Sequence, residues 1–135
     1  MLISNFNDLL QTARYEPLPQ RLLFVFVAVE LPQDSTEQQR QDFAAGHGGT
    51  LTPLMCVDKS PQELDSFAAL SQEAAQFDQP WGLVFAAAIS GAAPGEPPQE
   101  AAIDKAFQAM VEDLKQGRLS HYIPFDRDGL PIQIG

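Results

Sequence analysis

The sequence predicts an α/β or α+β fold: a single-layer mixed sheet of about five strands covered by three to four helices, with a C-terminal β-hairpin at one edge. Three features carry that expectation. The run Leu22-Leu23-Phe24-Val25-Phe26-Val27-Ala28-Val29 has no polar alternation, so it reads as a strand covered on both faces, at the centre of the sheet. Stretches beginning at Phe6, Leu64 and Ile103 carry apolar residues at helical spacing and supply the covering layers. Asp126-Arg127-Asp128-Gly129 is a turn sequence between two short apolar segments, Tyr122–Phe125 and Leu130–Ile134.

In chain order, Ser4 or Asn5 caps a first helix whose Phe6, Leu9, Leu10 and Ala13 share one face, and Pro17 stops it. The central strand follows. Ser35 and Gly46 can bracket a polar helix from Thr36 to Ala45, in which only Phe43 and its alanine neighbours offer burial, and an irregular surface excursion fits the same residues. A second strand, Leu54 to Asp58, follows Pro53, a residue suited to a strand start or an edge. Ser60, Pro61 and Glu63 then form a capping box with proline at the first helical position. A helix is expected there, with Leu64, Phe67, Ala68, Ala74 and Phe77 turned inward. Trp81 to Ile89 is a third strand, and its small residues Ala86 to Ala88 let a helix or second subunit come close. After a loop from Gly91 to Pro98, a last helix runs from about Gln99 to Gln116 on Ile103, Phe107, Met110, Val111 and Leu114. Gly117 ends it in the left-handed conformation. Pro124 and Pro131 remove ladder donors, so at least one hairpin strand is an edge.

With 135 residues the chain is expected to form one domain, 1–135, around one core. Eighteen acidic residues against eight basic ones leave a charge of -10, which repels phosphate backbones and anionic lipid. Nucleic-acid and membrane-surface binding are therefore not expected; the balance suits a soluble protein, or one whose partner is basic. The lone Cys56 excludes an intrachain disulfide and a multi-thiolate zinc site. Met1–Asn5 has no basic n-region, and the longest apolar run is too short to span a bilayer, so a cytoplasmic location is expected.

Candidate sites follow from the same reading. If the strands are parallel, ligands gather beyond their carboxyl ends, which carry Glu30, Asp58 with Lys59, and Ser90 with Gly91. In Gly46-His47-Gly48-Gly49, backbone N–H groups can converge on an anion while His47 adds a donor. The same residues also suit a helix C-cap and turn, and they match neither the dinucleotide fingerprint nor the P-loop. The candidate ligand site is thus His47, Gly48, Gly49, Asp58 and Lys59. Cys56 and a histidine, His47 or His121, form the only thiol–imidazole combination, but Leu54-Met55-Cys56-Val57 reads as buried strand with cysteine as a small hydrophobe. Asp126–Gly129 lacks the remaining ligands of a calcium loop, and Glu112 and Asp113 are helix neighbours that cannot face one point. No catalytic residue, metal site or cofactor is assigned.

Three stretches carry a family resemblance: Pro19-Gln20-Arg21-Leu22-Leu23-Phe24-Val25-Phe26, Leu51-Thr52-Pro53-Leu54-Met55-Cys56-Val57-Asp58-Lys59, and Ile123-Pro124-Phe125-Asp126-Arg127. Across nearly the whole chain the sequence resembles a small bacterial family catalogued as "ribonucleotide reductase subunit alpha". The resemblance implies a compact cytosolic domain and an accessory association. It transfers no catalytic residue, because the large subunit of that enzyme works with several thiols inside a very large barrel, and this chain has one cysteine.

The leading expectation is a non-catalytic protein-interaction or accessory domain, binding a protein partner or itself as a homodimer. Its surface would be the hairpin edge, with Phe125 and Ile132 as contact residues. The alternative is a small ligand-binding protein or enzyme at the Gly46–Gly49 loop and the end of the second strand. That reading requires His47 within hydrogen-bond reach of Cys56 or Asp58. Imitation of nucleic acid by an acidic face would need clustered carboxylates, and they are spread along the sequence.

Overall fold

The computed structural model describes residues 5–30, 36–44, 50–78 and 80–132. Along the chain these form α1 (Phe6–Arg14), β1 (Gln20–Glu30), α2 (Glu37–Ala44), β2 (Thr50–Lys59), α3 (Phe67–Ala75), β3 (Leu83–Ser90), α4 (Glu100–Lys115) and β4 (Ile123–Phe125). The sheet has four strands in the order β2-β1-β3-β4. Every neighbouring pair is antiparallel, which corrects the expected mixed sheet of about five strands. β2 and β3 do run parallel to each other, as a helical crossover favours, but β1 lies between them. The missing strand is the second arm of the hairpin. Pro131 and Pro124 lack N–H groups, and among its described residues that arm contributes the Phe125–Pro131 bridge and two backbone bonds, Asp126 N–H to the Leu130 carbonyl at 3.0 Å and Ile132 N–H to the Pro124 carbonyl at 3.1 Å.

β1 is the axis of the core. Leu22 through Val27 are all fully buried, because alternate residues feed separate apolar layers on the two faces of the sheet. Leu22, Phe24 and Phe26 meet α1 and α3, together with Val84, Ala86 and Phe125. Leu23, Val25 and Val27 meet Met110 and Leu114 of α4, with Ile103, Phe107 and Val111 around them. Each such side chain contributes about 1.5–3 kcal/mol by leaving water. Aromatic rings fill the first layer. Phe6 lies 5.7 Å from Phe24, 5.1 Å from Phe67 and 5.3 Å from Phe125, centroid to centroid. Trp81 sits edge-on to Phe26 at 5.0 Å and carries the Arg127 guanidinium over its own face at 5.1 Å.

Helix ends follow local chemistry where tertiary contacts allow it. The Asn5 side chain accepts from Asp8 N–H at 2.9 Å and starts α1. α2 starts from Thr36, whose hydroxyl accepts from Gln39 N–H while Gln39 Oε1 accepts from Thr36 N–H. The proposed Ser35 cap and Gly46 stop lie outside the described residues. α4 ends as expected: Gly117 has φ +75°, Arg118 N–H donates to the Asp113 carbonyl and Gly117 N–H to that of Leu114.

At Ser60 the expectation needs correction. The capping box forms, with Ser60 N–H on Glu63 Oε1 at 2.8 Å and Glu63 N–H on Ser60 Oγ at 3.3 Å. No helix grows from it. Arg14 of α1 donates to the Pro61 carbonyl at 3.0 Å and the Leu64 carbonyl at 2.7 Å, two acceptors that a helix would need for its own ladder. The chain makes one turn and starts again at Ser66, whose hydroxyl accepts from Ala69 N–H. That restart rotates the later residues: Leu70 and Ala74 are buried, whereas Ala68 is exposed and Phe77, beyond the helix end, is exposed. The third strand begins at Leu83, leaving Trp81 buried just ahead of it.

Candidate functional site

The antiparallel topology separates the residues of the expected binding rim. Both β2 and β3 finish at the start of β1, where Gln20 pairs with Ser90 and Leu22 with Lys59; Glu30 is at the opposite end, paired with Thr50. Glu30 accepts there from the Thr52 hydroxyl at 3.3 Å. Asp58 and Lys59 are chain neighbours and therefore project to opposite faces. Arg21 Nε lies 2.7 Å from Asp58 Oδ2 and its Nη1 lies 3.5 Å from Glu63. Lys59 is held on the other face by Glu73 at 2.9 Å. Each charge is matched by its own partner, and the pair does not share a pocket. His47, Gly48 and Gly49 lie outside the described residues.

Of the two proposed contact residues of the hairpin, Phe125 changes meaning. Phe125 is fully buried: it pairs with Val84 and its ring packs against Phe6, so its side chain presents nothing to a second molecule. Ile132 is half-buried beside Pro124. Cys56 is corrected in the opposite direction. It pairs with Val25 on an outer strand and is exposed. Protein packed about the sulfur nonetheless pushes the thiol pKa up, which disfavours the thiolate a nucleophile needs.

One polar cluster was not anticipated. Asp113 accepts from the Tyr122 hydroxyl at 2.5 Å and from Arg118 Nε at 3.0 Å, tying the end of α4 to the segment that leads into β4. The Tyr122 hydrogen bond, then that of Arg118, holds the Asp113 carboxyl below its ordinary value. Burial, reinforced by Asp113, pushes the Tyr122 phenol up to about 12. Nothing local in the sequence marks this cluster; only the glycine stop at Gly117, which folds Arg118 back onto Asp113, hints at it.

The largest stretch of unpaired backbone among the described elements is the outer side of β2, ten residues long and bonded on one side only. The bonding sense can be worked out from β1. The carbonyls of Pro19 and Val27 accept from Gly91 and Gly82, both at 2.8 Å, so odd-numbered β1 residues direct their backbone groups to β3. Even-numbered ones serve β2: Leu22 faces Lys59, Phe24 faces Val57 and Phe26 faces Met55. Cys56 and Asp58 must then point their N–H and C=O groups outward. A register shift between Phe26 and Val27 resets the alternation, and beyond it Leu51 and Pro53 point outward. Pro53 thus stands where no ladder donor is needed, which is why a proline fits inside this strand. No described residue bonds to the outward groups of Leu51, Cys56 or Asp58.

Among the described residues no group of three or more His, Cys, Asp or Glu side chains is arranged to hold a metal. No helix among them is long and apolar enough to cross a membrane. Comparisons with protein-family models, with curated proteins and with solved structures found no match to this chain.

Proposed function

We propose that this chain is a non-catalytic interaction domain of a cytoplasmic protein, and that it accepts an extended segment of a protein partner along the outer edge of β2. The observation that carries the reading is the outward row of backbone donors and acceptors at Leu51, Cys56 and Asp58. Strand addition uses such an edge for main-chain affinity and the alternating side chains for selectivity. Half-buried Met55 and Val57 flank the edge on one face, with Leu51 and Cys56 on the other. Pro53 and the register shift interrupt the edge in its middle, which limits indiscriminate pairing and confines a docked strand to a short register.

Charge favours a basic partner over a second copy. Arg21, Lys59 and Arg118 are matched by carboxylates, and Arg14 by backbone carbonyls. The surplus of the -10 charge therefore rests on unmatched acids, and two such chains repel.

The test compares the wild-type chain with Cys56→Pro as baits in host extract at near-physiological salt, read by mass spectrometry. The proline removes an outward N–H and leaves the bonds to β1 in place. A partner retained in stoichiometric amount by wild type and lost by a folded Cys56→Pro variant supports the reading. Equal retention by both, or no retained partner, defeats it.

A further inference from the structure

On the far half of the sheet from the β2 edge, the flank of α1 stands apart from β3 and β4 and leaves a cleft of about 220 Å³. It exists because β3 offers only methyl groups there: Ala86 and Ala88 occupy positions paired with Phe24 and Leu22 of β1. Its apolar lining comes from Leu9, Ala86 and Ile123, and its polar lining includes Glu16, Gln20 and His121. The polar groups fall where the chain leaving α1, the first residue of β1 and the approach to β4 come together.

The carboxylate and carbonyl groups of this polar end share one sign. Glu16 is a carboxylate, and the carbonyl end of α1 adds its own partial negative charge. Gln20 uses its amide N–H groups on the Leu18 carbonyl at 3.0 Å and the Ser90 hydroxyl at 2.7 Å, so its carbonyl oxygen is the group it can offer. A neutral His121 has an acceptor nitrogen. Arg14 is the basic residue in the last turn of α1, and it is committed elsewhere, to the carbonyls of Pro61 and Leu64. No lysine or arginine lines the cleft. An apolar floor with an acceptor-rich, negative end is complementary to a donor-rich cation on a hydrocarbon body.

We propose that this cleft binds a small primary amine, with the ammonium at Glu16, Gln20 and His121 and the carbon body against Leu9, Ala86 and Ile123. The volume falls below the roughly 300 Å³ at which drug-sized sites begin, which restricts the ligand to about one ring or a short chain. The site is independent of the β2 edge, and neither proposal depends on the other.

The probe is 2-phenylethylamine, titrated into the 135-residue chain and followed by amide chemical shifts, with 3-phenylpropionate as the matched anion. The amine should give saturable shifts confined to α1, β3 and the approach to β4, with a dissociation constant on the order of millimolar. The anion should give none. Glu16→Gln should weaken the amine about fivefold, the equivalent of one partly exposed ion pair. Ala88→Leu, which fills the cleft from an exposed position, should abolish saturation while the chain stays folded. The proposal is overturned by an amine that gives no saturable shift, by shifts spread over the acidic surface, or by equal binding of the anion. It is also overturned if both variants bind as wild type does.

Discussion

Gly129 offers a controlled measure of how tightly the hairpin turn is packed on the core. Gly95, Gly117 and Gly129 have nearly the same backbone, with φ of +79°, +75° and +79°. A Cβ at Gly95 or Gly117 would meet nothing within 4 Å, whereas one at Gly129 would stand 2.7 Å from Phe67 Cγ and 2.8 Å from Cδ2. Any L-residue in this conformation costs roughly 1–2 kcal/mol, so Gly95→Ala and Gly117→Ala should each lose about that much. Gly129→Ala must in addition displace the Phe67 ring, which is itself held edge-on against Phe6 at 5.1 Å. Overpacking of that kind adds about 1–3 kcal/mol, for a total of roughly 2–5 kcal/mol. Urea unfolding followed by the fluorescence of buried Trp81, the only tryptophan, reads all three variants. Phe67→Ala removes both of the closest atoms, so in that background the penalty at Gly129 should fall to nearly that at Gly95. If Gly129→Ala costs no more than Gly95→Ala, or its excess survives Phe67→Ala, the steric reasoning is wrong.

Other expectations rest on separate contacts. Arg14→Ala should cost about 1.5–3 kcal/mol in urea unfolding, the range for hydrogen bonds to a charged group, and an unchanged midpoint would show that the guanidinium does not hold the Pro61–Leu64 turn. Native-state hydrogen exchange should alternate along β2, with the amides of Cys56 and Asp58 fast and those of Val57 and Lys59 slow; uniform protection would contradict the outward edge. Phenolate absorbance should place Tyr122 at about 12, and Asp113→Asn should bring it part of the way back towards 10. Because the folded value is raised, the neutral phenol's contribution is complete below pH 10 and is lost as pH rises through about 12. The Asp113 carboxylate has the opposite sign. Its contribution is present above the ordinary 3.8 and disappears as pH falls through the lowered folded value, and a Tyr122 midpoint unmoved by Asp113→Asn would show that the two groups are not coupled.

Short-range chemistry in the sequence was enough to determine most of the elements. Asn5 caps α1, Gly117 ends α4, and the uninterrupted run from Leu22 marks the doubly covered strand, because each depends on groups a few residues apart or on a periodicity of two or 3.6. The acidic balance and the single thiol likewise limited the chemistry before any fold was known. Pairing between distant segments was decided only in three dimensions. Ser60 to Glu63 shows why: its local capping code is satisfied, yet Arg14, distant in sequence, takes the carbonyls that a helix would have used. Cys56 shows the same at the sheet level. The apolar run around it suggested burial, but an antiparallel order with β2 outermost left it exposed and turned its backbone outward. Phe125 does lie on an edge strand, as expected, but its side chain is buried against the ring of Phe6 instead of facing a partner. Strand order is set by which layers bury most apolar surface together, a sum over the whole chain that no local window contains.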